Sequence, residues 1–162
     1  MLKELAKYIK EYKLASLLTI AFIIGEVVFE LLIPYMMTFI IDKGVAINDF
    51  NAVIKYGSIM IVLAVLGLIC GIAAGIYGAN ASAGFAKNLR EGMFRNIQNF
   101  SFSNIDKFSS AGLVTRLTTD ITNVQNSYQM ILRMLMRAPA TLIFALIMTV
   151  SISKDMSVIF FI

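Results

Sequence analysis

The feature that most constrains this chain is the run of residues 56–86, 31 residues without one acidic or basic side chain. As an α-helix it would measure roughly 46 Å, against the ~30 Å of a bilayer's hydrocarbon core. In lipid, a helix satisfies every backbone polar group within itself, which is why such runs span membranes. The composition points the same way. Apolar residues make up 59% of the chain and charged residues 15%, where soluble domains carry roughly 45–50% and about 25%. An all-α, polytopic membrane helical bundle is therefore expected, with this helix long, tilted and projecting at one end.

Three further apolar runs complete the outline. Residues 14–41 form the first, interrupted only by Glu26 and Glu30. Residues 138–153 form the third, and its 16 residues are short for a span, so its membrane part is expected to begin near Ile131. Residues 156–162 open a fourth helix, expected to run on past the end of this chain. The N-terminus carries Lys3, Lys7, Lys10 and Lys13 ahead of the first run. A secretory signal begins similarly, but its apolar core spans only about 7–15 residues, so the first helix is read as retained.

Charge sets the expected orientation. Lys87, Arg90, Arg95, Lys107, Arg116, Arg133 and Arg137 lie between the second and third runs, whereas Asp42, Lys43, Asp49 and Lys55 balance between the first two. Excess Lys and Arg marks the cytoplasmic side. The N-terminus and the middle segment are thus expected inside, and residues 42–51 outside, with Lys154 and Asp155 a short outer turn. The net charge of +4 reads as topology and not as a nucleic-acid surface. Cys70 is the one cysteine and there is no histidine, so no internal disulfide can form and the commonest metal ligand and general base are missing. No catalytic, cofactor-binding or metal residues are assigned.

The middle segment has helical signals. Leu89, Met93, Ile97 and Phe100 recur on one helix face, with Arg90, Glu91, Arg95 and Gln98 between them. Ser103 followed by Asp106 fits a capping box for a short helix, and Gly112 reads as a break. Leu113, Leu117, Ile121, Val124 and Tyr128 then resume a stripe. Two membrane helices are expected to continue past the bilayer as a hairpin with a short crosspiece at its tip. In numbers, the expected spans are 14–41, 56–86 extending to about 100, 113–153 with its extension, and a fourth from 156.

These residues resemble the first intracellular loop of ABC exporter membrane domains. The resemblance rests on Leu89-Arg90, Phe94, Ile97, Phe108, Gly112, Leu113, Arg116-Leu117-Thr118, Asp120 and Val124, together with Leu32-Ile33-Pro34-Tyr35 and Ile40-Ile41-Asp42-Lys43-Gly44. It covers nearly the whole chain and looks nearest to bacterial multidrug-type half-transporters. It implies the N-terminal part of a six-helix membrane domain in the cell membrane, exporting drugs, lipids or other amphiphiles. It also implies a nucleotide-binding domain that binds ATP and Mg and makes the full-length protein an ATPase, and a second half-transporter, identical or not. Phe102, Ser103, Asn104, Ile105, Asp106, Lys107 and Phe108 would form the coupling helix that docks on that domain. No phosphate-binding glycine loop occurs in this chain. The alternative is a non-transport membrane module whose hairpin binds a cytoplasmic protein. A membrane enzyme is the weakest reading, for want of a nucleophile or metal-ligand pattern.

Within the spans, Glu26 and Glu30 share one helix face, and Glu26 falls roughly 18 Å into the first helix. Intramembrane carboxylates usually face a bundle interior or watery cavity. They are candidates for a cation-attracting cavity wall, with Arg133 as a candidate neighbour, although plain hydrogen bonding to other helices is an equal alternative. Arg133 and Arg137 together are expected mainly as headgroup anchors. Gly67, Gly71, Gly75, Ala79 and Ala83 form a small-residue ladder suited to close helix packing. Pro34 is expected to kink or end the first helix, and Arg116 with Asp120 to form an exposed pair four residues apart.

Overall fold

The structure is a computed structural model that describes residues 7–100 and 109–152. The proposed crosspiece at residues 102–108, the turn at Lys154 and the fourth run lie outside the described residues. Among the described residues all regular structure is helical. A 3-10 turn, Lys10–Tyr12, leads into α1, Lys13–Phe39, which continues as a π-helical turn, Ile40–Val45. Helix α2 is Phe50–Gln98. Then α3 (Ser110–Thr115), a π turn (Arg116–Asp120), α4 (Ile121–Met130), a second π turn (Ile131–Leu135) and α5 (Met136–Ile152) follow as one helical run.

Local chemistry sets the boundaries. Asp49 Oδ1 accepts from the amides of Asn51 and Ala52 at 3.0 and 3.3 Å. This N-cap starts α2 six residues before the charge-free run. Asn48, with φ 57°, makes the turn that precedes the cap. Pro34 does not end α1: the helix runs five residues beyond it, although its missing N–H leaves the Glu30 carbonyl without its usual donor. Gly112 is likewise no break. Ser109 caps α3, its Oγ accepting from the Gly112 amide at 3.2 Å, so the glycine sits in the first turn.

The chain divides into two compact units. The first comprises Met1–Thr19 and Gly75–Arg133. Its core is Phe85, Ala86, Leu89 and Ile121, with Tyr8, Ile9, Met93, Leu117, Val124 and Tyr128 packed against it. The two apolar stripes of the middle segment therefore face each other, as the burial of 3.6-periodic faces requires. The Phe85 and Tyr128 rings stack at 4.8 Å, and Arg90 Nε donates to the Leu117 carbonyl at 3.1 Å, tying α2 to the first π turn.

The second unit comprises Ile20–Ala74 and Met134–Ile162. Ile23, Val27 and Ala74 are buried in it. Near the turn into α2, Phe39 stacks on Tyr56 at 5.5 Å. One face of α2 here is bare: Ile61, Val62, Leu68, Ile69 and Ile72 are all more than half exposed. So large an apolar surface is unsuited to water and suits lipid or neighbouring membrane helices.

Candidate functional site

Among the described residues of the second unit, the charged groups within the apolar spans gather at one place. Arg137 Nη1 donates to Glu26 Oε1 at 3.0 Å, and its Nη2 donates to Glu30 Oε2 at 2.7 Å. One guanidinium on α5 thus spans two carboxylates on α1, using its fork in a way a lysine could not. The three groups carry a formal charge of −1. Glu26 is the more enclosed carboxylate, with 21% of its side chain exposed against 59% for Glu30. Gly71 of α2 makes room for it: a Cβ there would lie 3.3 Å from both Cδ and Oε1 of Glu26.

Glu26 and Glu30 therefore do share a face and a partner, but the partner is Arg137. Arg133 falls in the first unit, exposed, within the π turn Ile131–Leu135. The role of Arg137 had one signal in the sequence. With the span starting near Ile131, Arg137 would sit roughly 9 Å inside it, where a cation calls for a carboxylate.

The small-residue ladder is divided. In the second unit, Gly67 approaches Phe29, with 3.6 Å between a built Cβ and the Phe29 Cβ, and Gly71 faces Glu26. In the first unit, nothing lies within 4 Å of a Cβ on Gly75, and Ala79 and Ala83 are exposed. Buried small residues there occur instead at Gly78, Ala81, Ser82, Gly84 and Ala86. Arg116 and Asp120 are both exposed and lie at the two ends of the first π turn.

The first unit also carries two grooves. The larger, about 480 Å³, has Phe94 and Leu117 as its apolar lining and Lys87, Arg90 and Glu91 as charged groups. The smaller, about 170 Å³, lies among Met93, Asn96, Ile97, Phe100, Leu113 and Arg116. Among the described residues no cluster of His, Cys, Asp and Glu could hold a metal ion.

Three helical runs among the described residues are long and apolar enough to cross a membrane: Lys13–Val45, Phe50–Gln98 and Ala111–Val150. With the amphipathic packing of the first unit, they define a polytopic helical membrane protein. The chain belongs to the family of the ABC transporter transmembrane region, whose profile matches residues 16–162. It is similar to the uncharacterized ABC transporter ATP-binding protein YfiB of Bacillus subtilis (strain 168), 31% identical over 152 residues that cover 94% of this chain and 26% of that protein. It is also similar to an uncharacterized ABC transporter ATP-binding protein of Mycobacterium tuberculosis (strain ATCC 25618 / H37Rv), 28% identical over 150 residues, 93% of this chain and 26% of the relative. The chain thus spans about a quarter of the length of these relatives.

Proposed function

We propose that this chain is the N-terminal membrane part of an ATP-driven exporter of amphiphilic molecules. The observation that carries the reading is the helical overhang. Helix α2 has 49 residues, roughly 74 Å, and its polar-flanked end packs against α4 in a core of its own. A helix that only had to cross lipid would stop near the ~30 Å boundary. An overhang with its own core is a rod that a motor outside the membrane can push. Both relatives are named as ATP-binding proteins, which supports an ATP-hydrolysing domain elsewhere in the protein.

On this reading the first unit lies in the cytoplasm. Phe102, Ser103, Asn104, Ile105, Asp106, Lys107 and Phe108 are the residues that meet the nucleotide-binding domain, where ATP and Mg bind. A second half-transporter, the same or different, completes the pathway. Glu26, Glu30 and Arg137 belong to its wall, and the net negative charge favours cationic amphiphiles over anionic ones. The full-length protein in liposomes tests this. ATP-dependent transport of a fluorescent amphiphile is expected, and replacing Phe102 and Phe108 by Ala should abolish transport while leaving ATP hydrolysis in place. Transport unaffected by those replacements would refute the coupling role.

A further inference from the structure

The segment before α1 is held on α2 by two aromatic rings lying over glycines. A Cβ built on Gly84 would overlap the ring of Tyr12, and one on Gly92 would lie 2.5 Å from Cε1 of Tyr8. No side chain larger than hydrogen fits at either position while the rings stay in place. Glycine inside a helix costs ~1 kcal/mol relative to alanine, and close approach of another segment is its usual compensation. Gly84 and Gly92 are about two helical turns apart. Between them, Asn88 Nδ2 donates to the Tyr8 carbonyl at 2.8 Å. A third contact extends the seam, since a Cβ on Gly78 would lie 3.3 Å from Thr19 Cγ2. The first turn of α1, which follows directly, reaches the other arm, where the hydroxyls of Ser16 and Tyr128 bond at 2.9 Å.

Two rings seated over glycines resist sliding, because any shift along α2 lifts them against the flanking side chains. The segment is therefore locked in register to α2, and the start of α1 that continues from it is tied to α4. Helix α1 starts at Lys13, directly after Tyr12. We infer that residues 7–12 are a strap that delivers movement of the hairpin to the start of the first membrane helix, with Tyr8 and Tyr12 as positioning residues seated on Gly92 and Gly84. The seating stands on contacts alone, while its part in transport rests on the exporter reading above.

The test uses the full-length protein. With p-azidophenylalanine in place of Tyr12 or Tyr8, photolysis in native membranes should give adducts on the α2 peptides holding Gly84 and Gly92 respectively. Adducts mapping elsewhere would overturn the seating. In liposomes, Gly84→Ala and Tyr12→Ala should each lower transport per ATP hydrolysed several-fold, with hydrolysis retained. The double variant should be no worse than Tyr12→Ala, since both changes break one contact. Tyr12→Phe should behave as wild type, because the atoms nearest Gly84 are ring carbons. Additive losses would mean that Gly84 serves another neighbour. Lower thermal stability with an unchanged transport-to-ATP ratio would mean a contact that only holds the fold. Either result defeats the strap. A wild-type protein without ATP-driven transport would defeat the exporter reading and the transmission half of this inference, while the adduct map would still decide the seating.

Discussion

Ile121 is 1% exposed and lies where α4 meets Phe85, Ala86 and Leu89 of α2. Trimming it to alanine should cost about 2–5 kcal/mol, and to valine only about 0.5–1.5 kcal/mol, read as the shift in the unfolding midpoint of the purified protein. A loss below the valine range for Ile121→Ala would mean that this core does not hold the hairpin together. Arg137 poses an electrostatic case. Arg137→Gln leaves Glu26 and Glu30 without their cation, and an unpaired carboxylate within a membrane span is costly. Thermal stability should fall, and adding Glu26→Gln and Glu30→Gln should restore most of it. The cycle between positions 137 and 26 should show the larger coupling, since Glu26 is the more enclosed. Zero coupling in both cycles would argue against the triad. The acidic half of this site was legible from the four-residue spacing. Its cation was not, because Arg137 read mainly as a headgroup anchor, and the approach of α5 to α1 that brings it to Glu26 and Glu30 is a tertiary contact that spacing along one helix does not show.

At the scale of elements, hydropathy located the long helices because lipid imposes a simple demand on them. It fixed their ends less well. Helix α2 starts at Phe50 through the Asp49 cap, a side-chain bond that apolar counting overlooks, and α1 runs through Pro34. The ladder of small residues shows the other limit. Periodicity finds a stripe but not the neighbour it faces. Gly71 meets Glu26 and Gly75 meets nothing within 4 Å, although both sit on one four-residue repeat. Leucine at Gly71 should therefore disturb the α1–α2 contact far more than leucine at Gly75. Proteolytic protection and folded yield in the full-length protein would separate the two. Equal damage would indicate that Gly75 faces a helix beyond this chain.

The whole molecule is organised by where its charge is permitted. Helix α2 has no charged residue from 56 to 86 and then acquires Lys87, Arg90, Glu91 and Arg95, the last two joined by a 2.7 Å ion pair. That transition falls inside the first unit, in the same stretch as Leu89, which is buried against Ile121. Lipid cannot solvate such a polar helix face, so the bilayer boundary has to lie ahead of Lys87. The other end of α2 begins beside a linker whose Asp42, Lys43, Asp49 and Lys55 balance in charge. Cations outnumber anions only at the hairpin end, and that end should face the cytoplasm. The arrangement can be tested in a Cys70→Ala background with one new cysteine at a time. Asn48→Cys should react with a membrane-impermeant maleimide in intact cells, whereas Asn96→Cys should react only after permeabilisation. Labelling of position 96 in intact cells would place the hairpin outside. ATP-binding domains work where ATP is, so that single result would remove the motor's access to the rods.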